Sequence, residues 1–242
     1  MTPGFLVAVV VVAIASGATA SVVGFGIGSL LTPLIATRIG MSAAVAVVTL
    51  PHAAATALRC WRLRASVDVS VLKRFGTLSA LGGLAGALAY TQVSSRVLTL
   101  ALAALLLATS AAALTSWSSR WKPQGPMVGA LGFASGGFGG LAGNQGGLRA
   151  AALLSFGLAP TAFVATATAT ALMVDAARAP VYVWRSAPEM WTNGVVIGAA
   201  LAGVIVGTLI GERVLFGISP ERFRKIVGVA IGMLGVWLCW RA

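Results

Sequence analysis

Charged residues are scarce in this sequence, since Asp, Glu, Lys and Arg together make up 9% of its 242 residues. Soluble domains carry about 25% charged residues, so this chain has too few to cover a water-facing surface. Hydrophobic residues account for 58% of the chain, and the mean hydropathy is +0.95. This composition excludes a soluble globular domain and predicts an integral membrane protein.

Acids, cysteine and histidine are also rare, with five, two and one residues respectively. Cys60 and Cys239 lie at the ends of apolar runs and lack metal-ligand spacing. The sequence contains no HExxH or GxSxG pattern. We therefore expect no metal, no cofactor and no enzymatic activity.

A net charge of +12 is a feature that nucleic-acid-binding proteins also show. The basic residues, however, are spread over short loops between apolar runs, which is typical of the positive-inside bias of membrane proteins. The expected partners are the lipid bilayer and a small anion, without nucleic acid, and a homodimer is compatible with the sequence.

The apolar runs are long and continuous, and they lack the period-two alternation of a membrane β-barrel. A helix of about 20 residues crosses a bilayer and satisfies its own backbone there. The runs of this length are 3–23, 42–60, 70–90, 97–115, 126–143, 161–183, 190–211 and 222–240. Two further segments, 28–39 and 147–157, reach only about 18 Å as helix. The sequence thus predicts an all-α polytopic membrane protein with about eight long transmembrane helices and two short interrupted or re-entrant segments.

The two halves of the chain repeat the same order of features. The glycines before the short segments are Gly24, Gly26 and Gly28 in the first half, and Gly143, Gly146 and Gly147 in the second. Thr49 and Thr166 follow in equivalent helices, and each half then reaches an acid at a helix entrance, Asp68 or Glu189. Two structural repeats are therefore predicted.

The distribution of basic residues predicts that the repeats are inverted. The loop after the second long run holds Arg59, Arg62 and Arg64, whereas its counterpart, with Arg185 and Glu189, is nearly neutral. The next loop shows the opposite bias. We expect residues 1–115 and 126–242 to form the inverted repeats and residues 116–125 to form a cytoplasmic linker.

Interrupted helices in paired positions indicate a transporter's binding site near the membrane midplane. The start of a half-helix presents free N–H groups and a positive dipole end, which suit an anion. The candidate substrate-binding residues at the two breaks are Gly26 and Gly28, and Asn144, Gln145, Gly146, Gly147 and Arg149. The alternatives are that the glycines only pack helices together, that Asn144 and Gln145 cap the helix, and that Arg149 extends to the membrane surface.

Five further polar residues lie inside apolar runs. His52, after Pro51, is a candidate for substrate or proton binding, or a packed hydrogen-bond donor. Thr49 and Thr166 are candidate ligands because both lie beside a break. Asp175 and Arg178 are spaced to form a pair on one helix face, either structural or coupled to protons.

Several motifs resemble the sulfite exporter TauE/SafE family. They are the glycine-rich breaks with their short segments, AVAVVTLPHAAATALRCWR (44–62), VATATAT (164–170) and SPERFRKIVGVAIGMLGVWL (219–238). The resemblance implies a multi-pass protein of the bacterial inner membrane that exports sulfite or short organosulfonates. The sequence differs from the usual family pattern at Pro51-His52 and at Asp175.

The residues favour a secondary transporter for a small anion, and the resemblance implies that this anion contains sulfur, as sulfite and sulfoacetate do. The alternative is an anion channel or a permease for other small anions, because re-entrant segments also build pores.

Overall fold

The computed structural model describes residues 2–90, 95–115, 125–142, 146–154, 156, 158, 160–214, 229, 232–233 and 235–240. Throughout these residues the regular secondary structure is helical, without strands. The prediction of an all-α chain is confirmed for this part of the protein.

The helices follow the predicted apolar runs closely. In the first half they are α1 (Pro3–Val23), α2 (Ile27–Ile39), α3 (Met41–Leu63), α4 (residues 69–89) and α5 (Ser95–Leu114). Helix α4 consists of three consecutive segments, which are Val69–Val71, a π-helical turn Leu72–Gly76, and Thr77–Ala89. In the second half they are α6 (Pro126–Ala142), α7 (Gly146–Leu154), α8 (Pro160–Arg185), α9 (Ala187–Thr192) and α10 (Gly194–Val214). The run 190–211 is thus divided into α9 and α10, and most of the run 222–240 lies outside the described residues.

Within the described ranges, three segments are long and apolar enough to cross a membrane: Pro3–Val22, Met41–Ser66 and Gly194–Arg213. The protein is therefore a multi-pass membrane protein, and the count of eight long crossings stays a prediction. As expected, α2 and α7 are short, with 13 and 9 residues.

The break between α1 and α2 depends on glycine. Gly24 ends α1 at φ 81°, and Gly26 precedes α2 at φ 143°. Both values lie where an L side chain is strained. The chain reverses there, because Gly26 lies against Thr19 while Arg38, near the end of α2, stacks on Phe5.

Helix α10 packs on α1 through glycines. Gly203 lies against Val10, Gly207 against Ile14 and Gly211 against Ala18. The contacts advance along both helices together, so α1 and α10 run parallel. Small residues let two membrane helices approach to backbone contact.

Helices α4 and α6 form a second close pair of the same kind. Gly82 lies against Phe133 and Gly86 against Gly137, so these helices are also parallel. A Cβ added at either glycine of α4 would overlap a carbonyl oxygen of α6.

Replacing Gly207 by Ala is expected to destabilise the protein, because the new Cβ would overlap the carbonyl of Ile14. Overpacking of this kind costs about 1–3 kcal/mol. Gly198→Ala in the same helix is the control, since a Cβ there meets no atom within 4 Å. Thermal unfolding in detergent should show a lower midpoint for Gly207→Ala only, and equal midpoints would contradict this packing.

Candidate functional site

The break between α1 and α2 meets the start of α7. A Cβ added at Gly146 would overlap the side chain of Phe25, so the two breaks are in direct contact. The N-termini of α2 and α7 therefore converge, and each brings the positive end of its helix dipole. A pocket lies between them, lined by residues 24–28 and Gly146 and by the side chains of His52, Arg59 and Arg149.

Arg149, on α7, is buried and joins the two breaks. Its Nη2 donates a hydrogen bond to the carbonyl oxygen of Gly24 at 3.1 Å. This carbonyl belongs to the end of α1, where helical partners are missing. The Nη1 of Arg149 has no hydrogen-bond partner among the described residues. The guanidinium thus caps one break and keeps N–H capacity for a ligand.

Arg59 is the second buried arginine of the pocket, with 2% of its surface exposed. Its Nη2 lies 3.4 Å from the hydroxyl of Thr56, while Nε and Nη1 lack partners in the described part of the chain. Sequence analysis missed Arg59, because the residue lies close to the basic loop. The spacing of Arg59 from His52 could have indicated its place in the site, because residues 52, 56 and 59 share one face of a helix.

A buried cluster of three charged or titratable side chains borders the pocket. Asp175 Oδ2 lies 2.6 Å from His52 Nδ1. Asp175 Oδ1 accepts hydrogen bonds from Arg178 Nε at 3.0 Å and Nη2 at 2.7 Å. The sequence spacing of Asp175 and Arg178 predicted their pair. The contact between Asp175 and His52 was not predicted, because these residues are 123 positions apart in the sequence.

Arg178 also caps the other break. Its Nη1 donates to the carbonyl of Gly139, and the hydroxyl of Tyr182 donates to that of Gly140. These carbonyls lie in the last turn of α6, where they lack helical partners. The C-terminal ends of α1 and α6, which lie at the two breaks, are therefore each bound by a buried arginine.

Positive charge is in excess at this site. Asp175 is the only buried carboxylate of the described residues, and it acts electrostatically on the buried guanidinium groups of Arg59, Arg149 and Arg178. Glu212, which pairs with Arg62, also acts on Arg59. Burying an uncompensated charge is costly. A bound anion would offset this excess and satisfy the N–H groups that lack partners.

The structure brings together most of the predicted residues that it describes. Gly26, Gly28, His52, Gly146 and Arg149 line the pocket. Gly147 lies in the first turn of α7. Asn144 and Gln145 lie outside the described residues.

Thr49 and Thr166 are not among the pocket-lining residues. Thr49 donates a hydrogen bond to the carbonyl of Val45 at 2.8 Å within α3. Thr166 accepts one from the backbone N–H of Asp68 at 2.9 Å. The Thr166 hydroxyl therefore anchors the start of α4 on α8.

Asp68 caps the N-terminus of α4. Its Oδ1 accepts hydrogen bonds from the backbone N–H of Val71 at 3.0 Å and from the hydroxyl of Ser70 at 2.9 Å. These bonds favour the ionised form and lower the pKa of Asp68, the bond from Val71 contributing most. The role of this predicted helix-entrance acid is structural.

Among the described residues, no three His, Cys, Asp or Glu side chains gather in a metal-binding group. The site instead offers N–H donors, which suit an anion better than a metal ion.

These features define a class: a helical membrane protein with a buried cationic pocket between two helix breaks, the arrangement of many secondary transporters. The family model described as sulfite exporter TauE/SafE matches residues 9–238, so the chain belongs to this family, whose members are membrane anion exporters and not enzymes. The comparisons with curated proteins and with solved structures give no match.

The variant Asp175→Asn is expected to lower the free energy of unfolding by about 3–5 kcal/mol, because it leaves buried guanidinium groups without their carboxylate. The control is Glu212→Gln, which breaks the ion pair of Glu212 with the half-exposed Arg62 and should cost about 0–1 kcal/mol. Unfolding in mixed detergent micelles measures both. A similar loss in the two variants would argue against a central role for Asp175.

Proposed function

We propose that this protein is a secondary transporter that exports small sulfur-containing anions, such as sulfite or sulfoacetate, across the bacterial inner membrane. One observation carries the proposal: two buried arginines line a pocket where two helix N-termini converge. Both Arg59 and Arg149 have N–H groups without a partner in the part of the chain that the structure describes. Membership of the family supports sulfur anions as the substrate class.

The chemistry of the donors fits this substrate class. Sulfite and sulfonate groups carry three oxygens, and a guanidinium binds two of them at once through its planar fork. Glycine at residues 26, 28, 146 and 147 leaves the backbone open to the ligand. We propose that Asn144 and Gln145 complete the site with neutral donors.

The present pocket holds roughly one water molecule. A sulfur anion is larger, so its binding has to move the two breaks apart. We propose that this structure represents a closed state of the site and that separation of Phe25 from Gly146 opens it. Helix breaks suit such a movement, because the half-helices move as rigid units about glycine.

The packing of the helices supports inverted repeats. The first helix of each proposed repeat packs on the third long helix of the other, as α1 on α10 and α6 on α4. Both pairs are parallel. If each helix crosses the membrane and each half crosses an odd number of times, parallel pairs arise only when one half is inverted. This arrangement agrees with repeats at 1–115 and 126–242 and a cytoplasmic linker at 116–125.

An inside-negative membrane potential favours anion export by about 2.3 kcal/mol per charge per 100 mV. Export therefore requires no ATP-binding motif, and the sequence has none. The alternative function, an anion channel or a permease for other anions, uses the same pocket chemistry. A channel would lack saturable exchange of internal for external substrate, and a permease for other anions would prefer carboxylates.

The variant Arg59→Gln is expected to weaken binding of the cognate anion by at least about tenfold, because a charged hydrogen bond contributes about 1.5–3 kcal/mol. Calorimetry on the purified protein with sulfite, sulfoacetate, taurine and simple carboxylates measures the effect. Arg62→Gln, one turn along α3 and half-exposed, is the matched control and should bind as the parent does.

The proposal fails if none of the sulfur anions binds the parent protein. It also fails if Arg59→Gln and Arg62→Gln bind equally well, since the pocket would then lie elsewhere. Preference for a carboxylate over every sulfur anion would favour the permease for other anions.

A further inference from the structure

His52 occupies a position that neither packing nor anion binding alone explains. It is the single histidine of the sequence, and its ring lies at the pocket wall. Its Nδ1 lies 2.6 Å from Asp175 Oδ2. An ionised carboxylate only accepts hydrogen bonds, so Nδ1 carries the proton of this contact. Nε2 is therefore the ring nitrogen at which a further proton binds.

Only one member of the cluster can exchange protons with the pocket. Asp175 is 1% exposed, and its Oδ1 is occupied by Arg178. His52, by contrast, lines the pocket and retains 9% exposure. A proton that enters the site from solvent therefore reaches His52 first, while Asp175 stabilises the charge that forms on the ring.

The charges around His52 oppose each other. The charged side chains that face it are Arg59 on α3, Arg149 on α7, and Asp175 and Arg178 on α8. The break residues 24–28 of α1 and α2 contain no titratable side chain, and on α10 Glu212 pairs with Arg62. With the pocket empty, one carboxylate favours the protonated ring and three guanidinium groups disfavour it. An anion between the arginines offsets part of their positive charge and so favours the protonated ring.

We propose that His52 is a proton-binding site linked to the anion site, so that the protein binds its anion together with one proton. The inference rests on the proposed function. The linkage is reciprocal: the anion promotes protonation of His52, and a protonated His52 strengthens anion binding by the same factor. A transport cycle that carries both then moves one negative charge fewer than the anion alone, which weakens the drive from the membrane potential.

The single histidine makes a direct measurement feasible. The protein is labelled with ¹⁵N-histidine, purified through a tag that lacks histidine and reconstituted in nanodiscs. The ¹⁵N spectrum reports the tautomer and the charge of His52 without ambiguity of assignment. Sulfite is one probe, and methanesulfonate is the second because its charge is constant near neutral pH.

Saturating anion is expected to increase the protonated fraction of His52, so that its titration midpoint moves by about one unit or more, as an added opposite charge nearby produces. As pH rises through the two midpoints, anion affinity should fall by a total factor that matches the shift, about tenfold for one unit. In His52→Gln, binding of methanesulfonate, whatever its affinity, should be independent of pH over this range. Glutamine keeps a donor for Asp175 but does not titrate.

Calorimetry on the same samples separates the two proposals. If an anion binds and the His52 titration does not change, the proton linkage is wrong while the proposed function stands. If His52→Gln keeps the pH dependence of the parent, the proton site is not His52 and the inference is overturned. If no anion binds, the proposed function fails, and the linkage fails with it.

Discussion

The site depends on one buried carboxylate. Asp175 receives two hydrogen bonds from Arg178 and contacts His52, so it joins α8 to α3 at the level of the breaks. Arg178 in turn binds the last turn of α6. Without Asp175, the described site would contain buried arginines and no buried acid, a state that membrane burial strongly disfavours. The carboxylate compensates one of three guanidinium charges and leaves the remainder for a ligand.

Glycine provides the second constraint. Glycines in α1, α4, α6 and α10 bring the long helices to backbone contact, and glycines at the breaks reverse the chain and open its N–H groups. Close packing fixes the scaffold, while the short helices α2 and α7 carry the pocket. The two roles of glycine therefore separate the closely packed long helices from the short helices that line the pocket.

Local patterns predicted the helices well, because continuous apolar runs and glycine breaks determine where helices begin and end in a membrane. Spacing also indicated the pair of Asp175 and Arg178. Contacts between distant segments were not predictable from these patterns. His52 meets Asp175, and Asp68 meets Thr166, only because α3 and α4 pack on α8. Arg59 was missed for a related reason, since burial near a helix end depends on neighbours that the sequence does not identify.

The central claim is that the cationic pocket between the breaks transports a sulfur anion. Counterflow tests it most directly: proteoliposomes loaded with unlabelled sulfite are diluted into ³⁵S-sulfite, and internal label is followed with time. The account predicts saturable accumulation of label above the external concentration, which is lost when the vesicles contain no sulfite. Equilibration without such accumulation would indicate a channel, and absence of uptake with sulfite and sulfoacetate alike would contradict the account.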